Sequence, residues 1–386
     1  MSGSIYESTH EQYRDVVRRF VATRIVPNRE RWEREHRVDR ELFEEAGEIG
    51  VFGFAAPPEF GGAGVSDWRY NAILIECLAE ADVLAVGLNL SMQADIAMPY
   101  LVDSASSEQQ ARWLPNAVAG RAIVALAMTE PGAGSDVGSI TTTAVREGDH
   151  YVVNGSKTFI TNGTNADLVV TAVRTGPGKN LSLLVVPGNA PGFAKGSPLR
   201  KVGQHAAGTC ELFFNDVRVP VEDRLGDEGD GLAIIKQHLT QERLAVAAHA
   251  EAQARRALHL AIEHARNRVA FGAPIGALQS VRMAIAEMKT EVDIARVYLD
   301  QLILRHGAKK LDHVDAAQAK WWITDMCQRV VDRAVQVHGG YGYMLEYPIA
   351  RAWADSRVQT IYAGANEVLK DVIGRSLGLK GTRGDG

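Results

Sequence analysis

DLVVTAVRT, residues 167–175, and LSLLVVP, residues 181–187, are short runs of β-branched and aliphatic residues with a stretch of Gly, Pro and Asn between them. β-branched side chains fit the pleated surface of a strand, and Gly/Pro/Asn clusters turn the chain between strands. The same pattern extends outward to IVALAMT at 123–129, HYVVNG at 150–155 and CELFFNDVRVP at 210–220. The stretch from about 122 to 225 is therefore expected to be a domain of antiparallel strands.

Both flanks read differently. On the N-terminal side, EQYRDVVRRFVATRIVP (11–27) and WRYNAILIECLAEADVLAVGLNL (68–90) carry apolar residues at three- and four-residue intervals, the signature of amphipathic helices. PPEFGGAGVSD (57–67) interrupts them as a loop. After Gly229-Asp230-Gly231 the helical period returns over about 231–268, 277–306 and 312–338, with a shorter stretch after 365. Three long helices and a short one suggest a four-helix bundle. The expected fold is α+β: an N-terminal helical domain over 1–121, a middle antiparallel β domain over 122–228 and a C-terminal four-helix bundle over 229–386. An α, β, α order is not the βαβα alternation of a Rossmann fold. The tail KGTRGDG, 380–386, reads as disordered.

Composition narrows the class. Hydrophobic residues make up 46% and charged residues 23% of 386 residues, the balance of a soluble globular protein with more than one core. The net charge of −5 gives no footprint for nucleic acid or an anionic membrane. Cys77, Cys210 and Cys327 are far apart and form no CxxC pair, which argues against a disulfide framework or structural zinc. No basic-then-apolar leader opens the chain, and no apolar stretch approaches the roughly 20 residues of a spanning helix. The expectation is a cytoplasmic protein whose mature chain begins near residue 1.

Several stretches have residue types suited to chemistry. AMTEPGAGSDVGS (127–139) leads from a strand into a glycine-rich loop bearing the hydroxyls of Thr129, Ser135 and Ser139. Glycines let backbone N–H groups approach a ligand, and hydroxyls add short hydrogen bonds. A solvent loop between strands has the same composition, and the spacing is neither GxGxxG nor a P-loop. In KTFITNG (157–163), Phe159 is placed to pack on a planar cofactor with Thr161 beside it, although an ordinary hairpin strand reads the same way. In RNRVAFG (266–272), Arg268 and Phe271 are three residues apart and share a helix face, offering charge and stacking to a phosphate-bearing ligand. Arginines also collect at helix C-termini because of the helix dipole. QVHGGYGYMLEYPIARAWAD (336–355) places two glycines after a helix, a natural cap followed by an aromatic turn.

The sharpest physical signal is Glu242. The helix from about 231 has an apolar stripe at Leu232, Ile235, Leu239 and Val246, and Glu242 occupies the missing step. A carboxylate on a core-facing stripe is costly unless it is paired or used. Arg243 is one candidate partner, and a general base is the other reading.

Together these stretches resemble the acyl-CoA dehydrogenase family, over essentially the whole chain. AMTEPGAGSDVGS and QVHGGYGYMLEYPIARAWAD look like its two signatures. KTFITNG, RNRVAFG, RKVGQHAAGTCELFFNDVRVP (200–220) and QTIYAGANEVLKDVIGR (359–375) also match, in the same order. The resemblance implies FAD as cofactor. It assigns Met128, Thr129, Ser135, Phe159 and Thr161 to the flavin and its neighbourhood. It assigns Arg268, Phe271, Gln279, Gln336 and Gly340 to the pyrophosphate and adenosine part of an FAD across a subunit interface. Ser135 and Arg243 would lie near the pantetheine arm, and Tyr362, Ala363 and Gly364 beside the thioester.

Two departures stand out. Short- and medium-chain members carry the base in a Tyr-Glu-Gly sequence, where this chain has Tyr362-Ala363-Gly364. Long-chain and isovaleryl-type members carry it on the first bundle helix, at the position of Glu242 in LTQERLAVA. The other departure is Ala365, where the family commonly has Thr. The implied reaction is removal of an α-proton by Glu242 and of a β-hydride to flavin, giving a trans-2-enoyl thioester. The thioester oxygen would meet a flavin ribityl hydroxyl and the Ala363 N–H. The implied partners are an acyl-CoA, an electron-transfer flavoprotein and further copies of the chain in a homotetramer. An acyl group on a carrier protein, or an oxidase or monooxygenase of the same fold, are the alternatives. GLNLSMQADIAMPYL (87–101), expected at the pocket floor, holds no Arg or Lys, which argues against a dicarboxyl substrate.

Overall fold

The computed structural model describes residues 4–177 and 180–379, so the tail at 380–386 lies outside the described residues. The chain separates into two compact units, one of His10–Leu74 and Ala85–Leu239, the other of the remaining residues. Helices α1 (Ser8–Phe20), α2 (Arg29–Glu35), α3 (Glu41–Glu48), α4 (Arg69–Glu80), α5 (Leu84–Ser91), α6 (Met98–Ser104) and α7 (Ser107–Val118) come first in the chain. The last of these starts at a capping box. Ser106 Oγ accepts from the Gln109 N–H, and Gln109 Oε1 accepts from the Ser106 N–H at 2.8 Å.

The sheet of the first unit contains β1 (Val124–Ala127), β2 (Thr143–Glu147), β3 (His150–Ile160), β4 (Leu168–Arg174), β5 (Leu181–Pro187), β6 (Phe193–Lys195), β7 (Cys210–Pro220) and β8 (Arg224–Leu225). Its order is β6-β7-β3-β2-β4-β5-β8, with β1 paired to β4. β4 and β5 read as unbroken apolar runs because both of their faces are covered. Val170, Ala172, Leu183 and Val185 pack with Tyr100, Leu101, Trp113 and Leu114 of α6 and α7. Val169, Val173, Leu184 and Val186 pack with Tyr151, Val153, Leu212 and Val217 of β3 and β7. By contrast, β7 alternates buried and exposed residues, with Leu212, Phe214, Val217 and Val219 facing the core. A bulge bends β3 at Gly155, whose φ of 147° and approach to Thr142 exclude a side chain there.

The antiparallel expectation is met by β3–β7, β2–β3 and β4–β5 but corrected along β4: β1 runs parallel to it with Val124 opposite Leu168, and β2 meets it in parallel at Thr143 and Arg174. Parallel pairing needs a long crossover, and here the chain passes through β2 and β3 between β1 and β4. Sequence patterning reports which faces are buried, and it is blind to strand direction.

The helices α8 (Gly231–Asn267), α9 (Gln279–Gly307), α10 (His313–His338) and α12 (Asn366–Ser376) are the expected four of the C-terminal region. Another, α11 (Pro348–Ser356), forms beyond the expected aromatic turn, where the sequence reading placed no helix. Pro348 suits a helical first position, and Ile349, Ala350 and Ala352 bury the face that holds the helix. The second unit also carries buried charge. Arg296 on α9 lies 2.5 Å from Glu76 and from Asp300, and 3.6 Å from Glu251, while the Tyr6 hydroxyl donates to Glu76 at 2.7 Å. No described helix is long and apolar enough to cross a membrane.

Candidate active site

In the first unit, the chain leaving β1 and the end of β3 lie side by side. The Thr158 N–H donates to the Thr129 carbonyl at 2.9 Å. Behind them Lys157, fully buried, donates to Glu130 Oε1 at 2.8 Å and to the Met128 carbonyl at 3.1 Å. Glu130 also accepts from the Thr141 N–H and hydroxyl and from the Thr142 N–H. Burial alone would push the Glu130 carboxyl up, but these donors outweigh it and hold it at about 2. Met128, Thr129 and Phe159 are thus brought together, with Thr161 two residues beyond. Ser135 lies exposed in the following loop.

Phe159 is the informative member. It is 67% exposed and sits at φ 61°, in the left-handed region that costs a non-glycine residue energy. An exposed aromatic ring held in a strained conformation gains nothing within the chain. A flat ligand laid on it would bury the ring.

In the second unit, Arg268, Gly339 and Gly340 line a cleft of about 640 Å³ with His264, His338 and Tyr341. The Arg268 guanidinium lies 5.6 Å from the Tyr341 ring centroid, and the two imidazoles stack with centroids 4.4 Å apart. Burial pushes both imidazoles towards the neutral form. Phe271, 94% exposed at φ 53°, is a second strained aromatic. Gln279 opens α9, and Gln336 lies on the last turn of α10; both are exposed and neither lines this cleft. The histidine pair was not singled out from sequence. Its signal was the histidine before the twin glycines, and only the helix packing pairs it with His264.

Glu242 is 3% exposed on α8, as its place in the apolar stripe predicted. The stripe does not distinguish it, because every residue from 242 to 254 is buried. Six alanines between 245 and 254 let neighbouring chain close in on all sides of the helix. Next to it Arg243 is buried, and among the described residues its Nε has no hydrogen-bond partner. Burial pushes the guanidinium pKa down and Glu242 opposes the shift. A Cβ on Gly364 would stand 4.0 Å from the Arg243 guanidinium, so this arginine lies under the turn at 362–364. That turn is left-handed at Ala363 (φ 53°) and at Gly364 (φ 92°). Lys320, fully buried on α10, donates to the Gly364 carbonyl at 2.8 Å. Burial, and then Arg243, push its ammonium down to about 7 against the pull of Asp325 and Glu367. A carboxylate, an unsatisfied arginine nitrogen and a strained turn are therefore gathered in one unit. No group of His, Cys, Asp and Glu among the described residues is arranged to hold a metal.

Comparison with known proteins gives this arrangement a family. The profiles described as the N-terminal, middle and C-terminal domains of acyl-CoA dehydrogenase match residues 7–121, 125–217 and 229–378. The mitochondrial long-chain specific acyl-CoA dehydrogenase of Rattus norvegicus is 39% identical over 378 residues, covering 97% of this chain and 87% of that protein. The crystal structure of acyl-CoA dehydrogenase from Geobacillus kaustophilus superposes with a TM-score of 0.94 at 41% identity, covering 97% of this chain and 100% of that one. An acyl-CoA dehydrogenase from Bacillus anthracis, solved in complex with FAD, matches with a TM-score of 0.92 at 27% identity over 98% of this chain and 67% of that one. The chain belongs to the acyl-CoA dehydrogenase family. Its members use FAD, and the strained exposed aromatics and the arginine-bearing cleft described above fit a flat, phosphate-bearing cofactor.

Proposed function

We propose that this chain carries out FAD-dependent α,β-dehydrogenation of an acyl-CoA, with Glu242 taking the α-proton and a trans-2-enoyl thioester as product. The reading rests above all on Arg243, whose buried Nε has no hydrogen-bond partner among the described residues and whose guanidinium lies beneath the left-handed Ala363–Gly364 turn, one residue from a buried carboxylate.

The α-hydrogen of a thioester is weakly acidic, so its removal needs a positioned base and stabilisation of the oxygen that gains charge. Glu242 accepts that proton and becomes a carboxylic acid, while the C–H electron pair moves into the forming double bond. The backbone N–H of Ala363 donates to the thioester oxygen, a role that survives loss of the glutamate side chain other members carry there. Arg243 and Tyr362 line the thioester end, with Gly364 closing the turn, and Ser135 faces the pantetheine arm. Bound FAD supplies the acceptor for the β-hydride and its two electrons. Met128, Thr129, Phe159 and Thr161 hold its ring system, with Ser135 close by. Arg268, Phe271, Gln279, Gln336 and Gly340 hold the pyrophosphate and adenosine of a neighbouring copy's FAD.

The assembly that follows is a homotetramer in the cytoplasm that passes electrons to an electron-transfer flavoprotein. Its domains run over 1–121, 122–228 and 229–386. The acyl group is longer or branched rather than dicarboxylic, in line with the place of the base and the absence of Arg and Lys from 87–101. Anaerobic titration of the FAD-loaded protein with acyl-CoAs of graded length and branching tests the proposal. Bleaching by at least one of them, with the enoyl product recovered, is expected; no bleaching by any member of the series would refute it.

A further inference from the structure

The turn at 362–364 is expensive to hold. Ala363 has a side chain and yet sits at φ 53°, a left-handed conformation that crowds the Cβ of an L-residue against its carbonyl oxygen, and Gly364 follows at φ 92°. The next residue, Ala365, is the N-cap of α12 and has no side chain that can cap it. What fixes the turn comes from α10. Lys320 Nζ donates to the Gly364 carbonyl at 2.8 Å and to Asn366 Oδ1 at 3.0 Å. Asn366 is itself tied to α10 through the Trp321 carbonyl, Thr324 Oγ1 at 2.9 Å and Asp325 Oδ1 at 2.7 Å. Lys320 is fully exluded from solvent, and a lysine is buried at high cost unless its ammonium is used.

We propose that Lys320 is the positioning residue of the oxyanion donor: it clamps the Gly364 carbonyl, holds Ala363 left-handed and so aims the Ala363 N–H at the thioester oxygen. This inference rests on the acyl-CoA dehydrogenase reading above, in which that N–H receives the developing charge. Lys320 touches neither substrate nor reacting atoms. It acts through the turn, and Arg243 below the same turn adds a second buried cation to the region where negative charge builds.

The test uses FAD-loaded Lys320→Met and a 3-thia-acyl-CoA. In that probe the sulfur acidifies the α-proton and replaces the carbon that would give up hydride. An enolate formed on binding donates into oxidised flavin and absorbs at long wavelength. The native enzyme is expected to show this band, and Lys320→Met to lose most of it. In turnover, kcat should fall about 100-fold, the typical effect of one displaced oxyanion donor, with little change in KM. Glycine adopts the left-handed conformation without steric cost, so Lys320→Met/Ala363→Gly should regain about 10-fold of that loss. Should Lys320→Met fail to load FAD, Asn366→Ala takes its place: it keeps the ammonium but removes the acceptor that aims it, and both the band and kcat should drop. A native-like band and kcat in whichever variant folds would overturn the inference, as would a double variant with no recovery. A native enzyme that shows no band, and no turnover of any acyl-CoA, would instead sink the dehydrogenase reading on which the inference stands.

Discussion

Lys157 and Glu130 form a buried ion pair, Nζ to Oε1 at 2.8 Å, that locks the chain after β1 to β3 directly behind Met128, Thr129 and Phe159. Burial draws the Lys157 ammonium down to about 8 against the pull of Glu130, so the lysine is desolvated and depends on its partner. Removing one member of such a pair leaves an uncompensated charge and costs about 3–5 kcal/mol. Lys157→Met is expected to lower the unfolding free energy by an amount in that range, and Lys157→Met/Glu130→Gln to recover part of it. Equal stability of native and Lys157→Met protein in chemical denaturation would show that the pair does not hold the strand ends.

The same carboxylate sets an acid limit. Glu130 is held at about 2, below its ordinary 4.5, so its contribution is complete above about pH 4.5 and is lost as pH falls towards 2. Glu130→Gln should therefore flatten stability against pH across that window and leave the slope above pH 5 unchanged, as read from urea midpoints at a series of pH values.

Asp95 titrates the other way. It is fully buried, and desolvation pushes it up to about 7 although Asn71 and Trp68 donate to it. The folded state therefore binds a proton that the unfolded state releases near pH 4, and stability falls as pH rises from about 4 to 7. Asp95→Asn keeps the acceptor oxygen and removes the titration. Its stability relative to the native protein should rise steadily over that interval, and a constant difference would contradict this assignment.

Ala365 leaves α12 without a side-chain cap at φ −54° and ψ 143°, backbone angles at which a hydroxyl reaches the first-turn N–H groups. Ala365→Thr should stabilise the protein by about 1 kcal/mol, a rise in melting temperature of roughly 2 °C. Differential scanning calorimetry reads this directly; a lowered transition would mean that the hydroxyl is obstructed.

Glu242→Gln preserves size and packing while removing the base. Turnover is expected to fall at least about 100-fold with FAD retained at one per subunit. Ala363→Glu in that background should restore part of the turnover, with an altered chain-length preference because the base then approaches from another wall. Near-native turnover of Glu242→Gln would assign the proton transfer to another group.

Much of this architecture was readable from local pattern. The order of helical, strand and helical segments follows from side-chain periodicity, which is a property of neighbours in sequence, and α9 and α10 begin and end within two residues of the expected limits. The burial of Glu242 followed in the same way, whereas the grouping of Met128 and Thr129 with Phe159 was implied by the family resemblance alone. Where local and long-range forces diverge, the sequence was silent or misleading. It gave no helix at α11, made β1 antiparallel, and presented Glu242 as one polar residue on a stripe, whereas the helix is buried all round from 242 to 254.

Local sequence pattern was enough for most of the segments that form helices and strands, for which of their faces are apolar, and through the ordered motifs for the family to which the chain belongs. Tertiary structure alone decided the direction of β1, the stacking of His264 on His338, the left-handed turn at Ala363 and its clamp by Lys320. The physical reason is distance along the chain. Lys320 and Gly364 are 44 residues apart, and what a buried ammonium donates to is settled only when α10 meets the turn before α12.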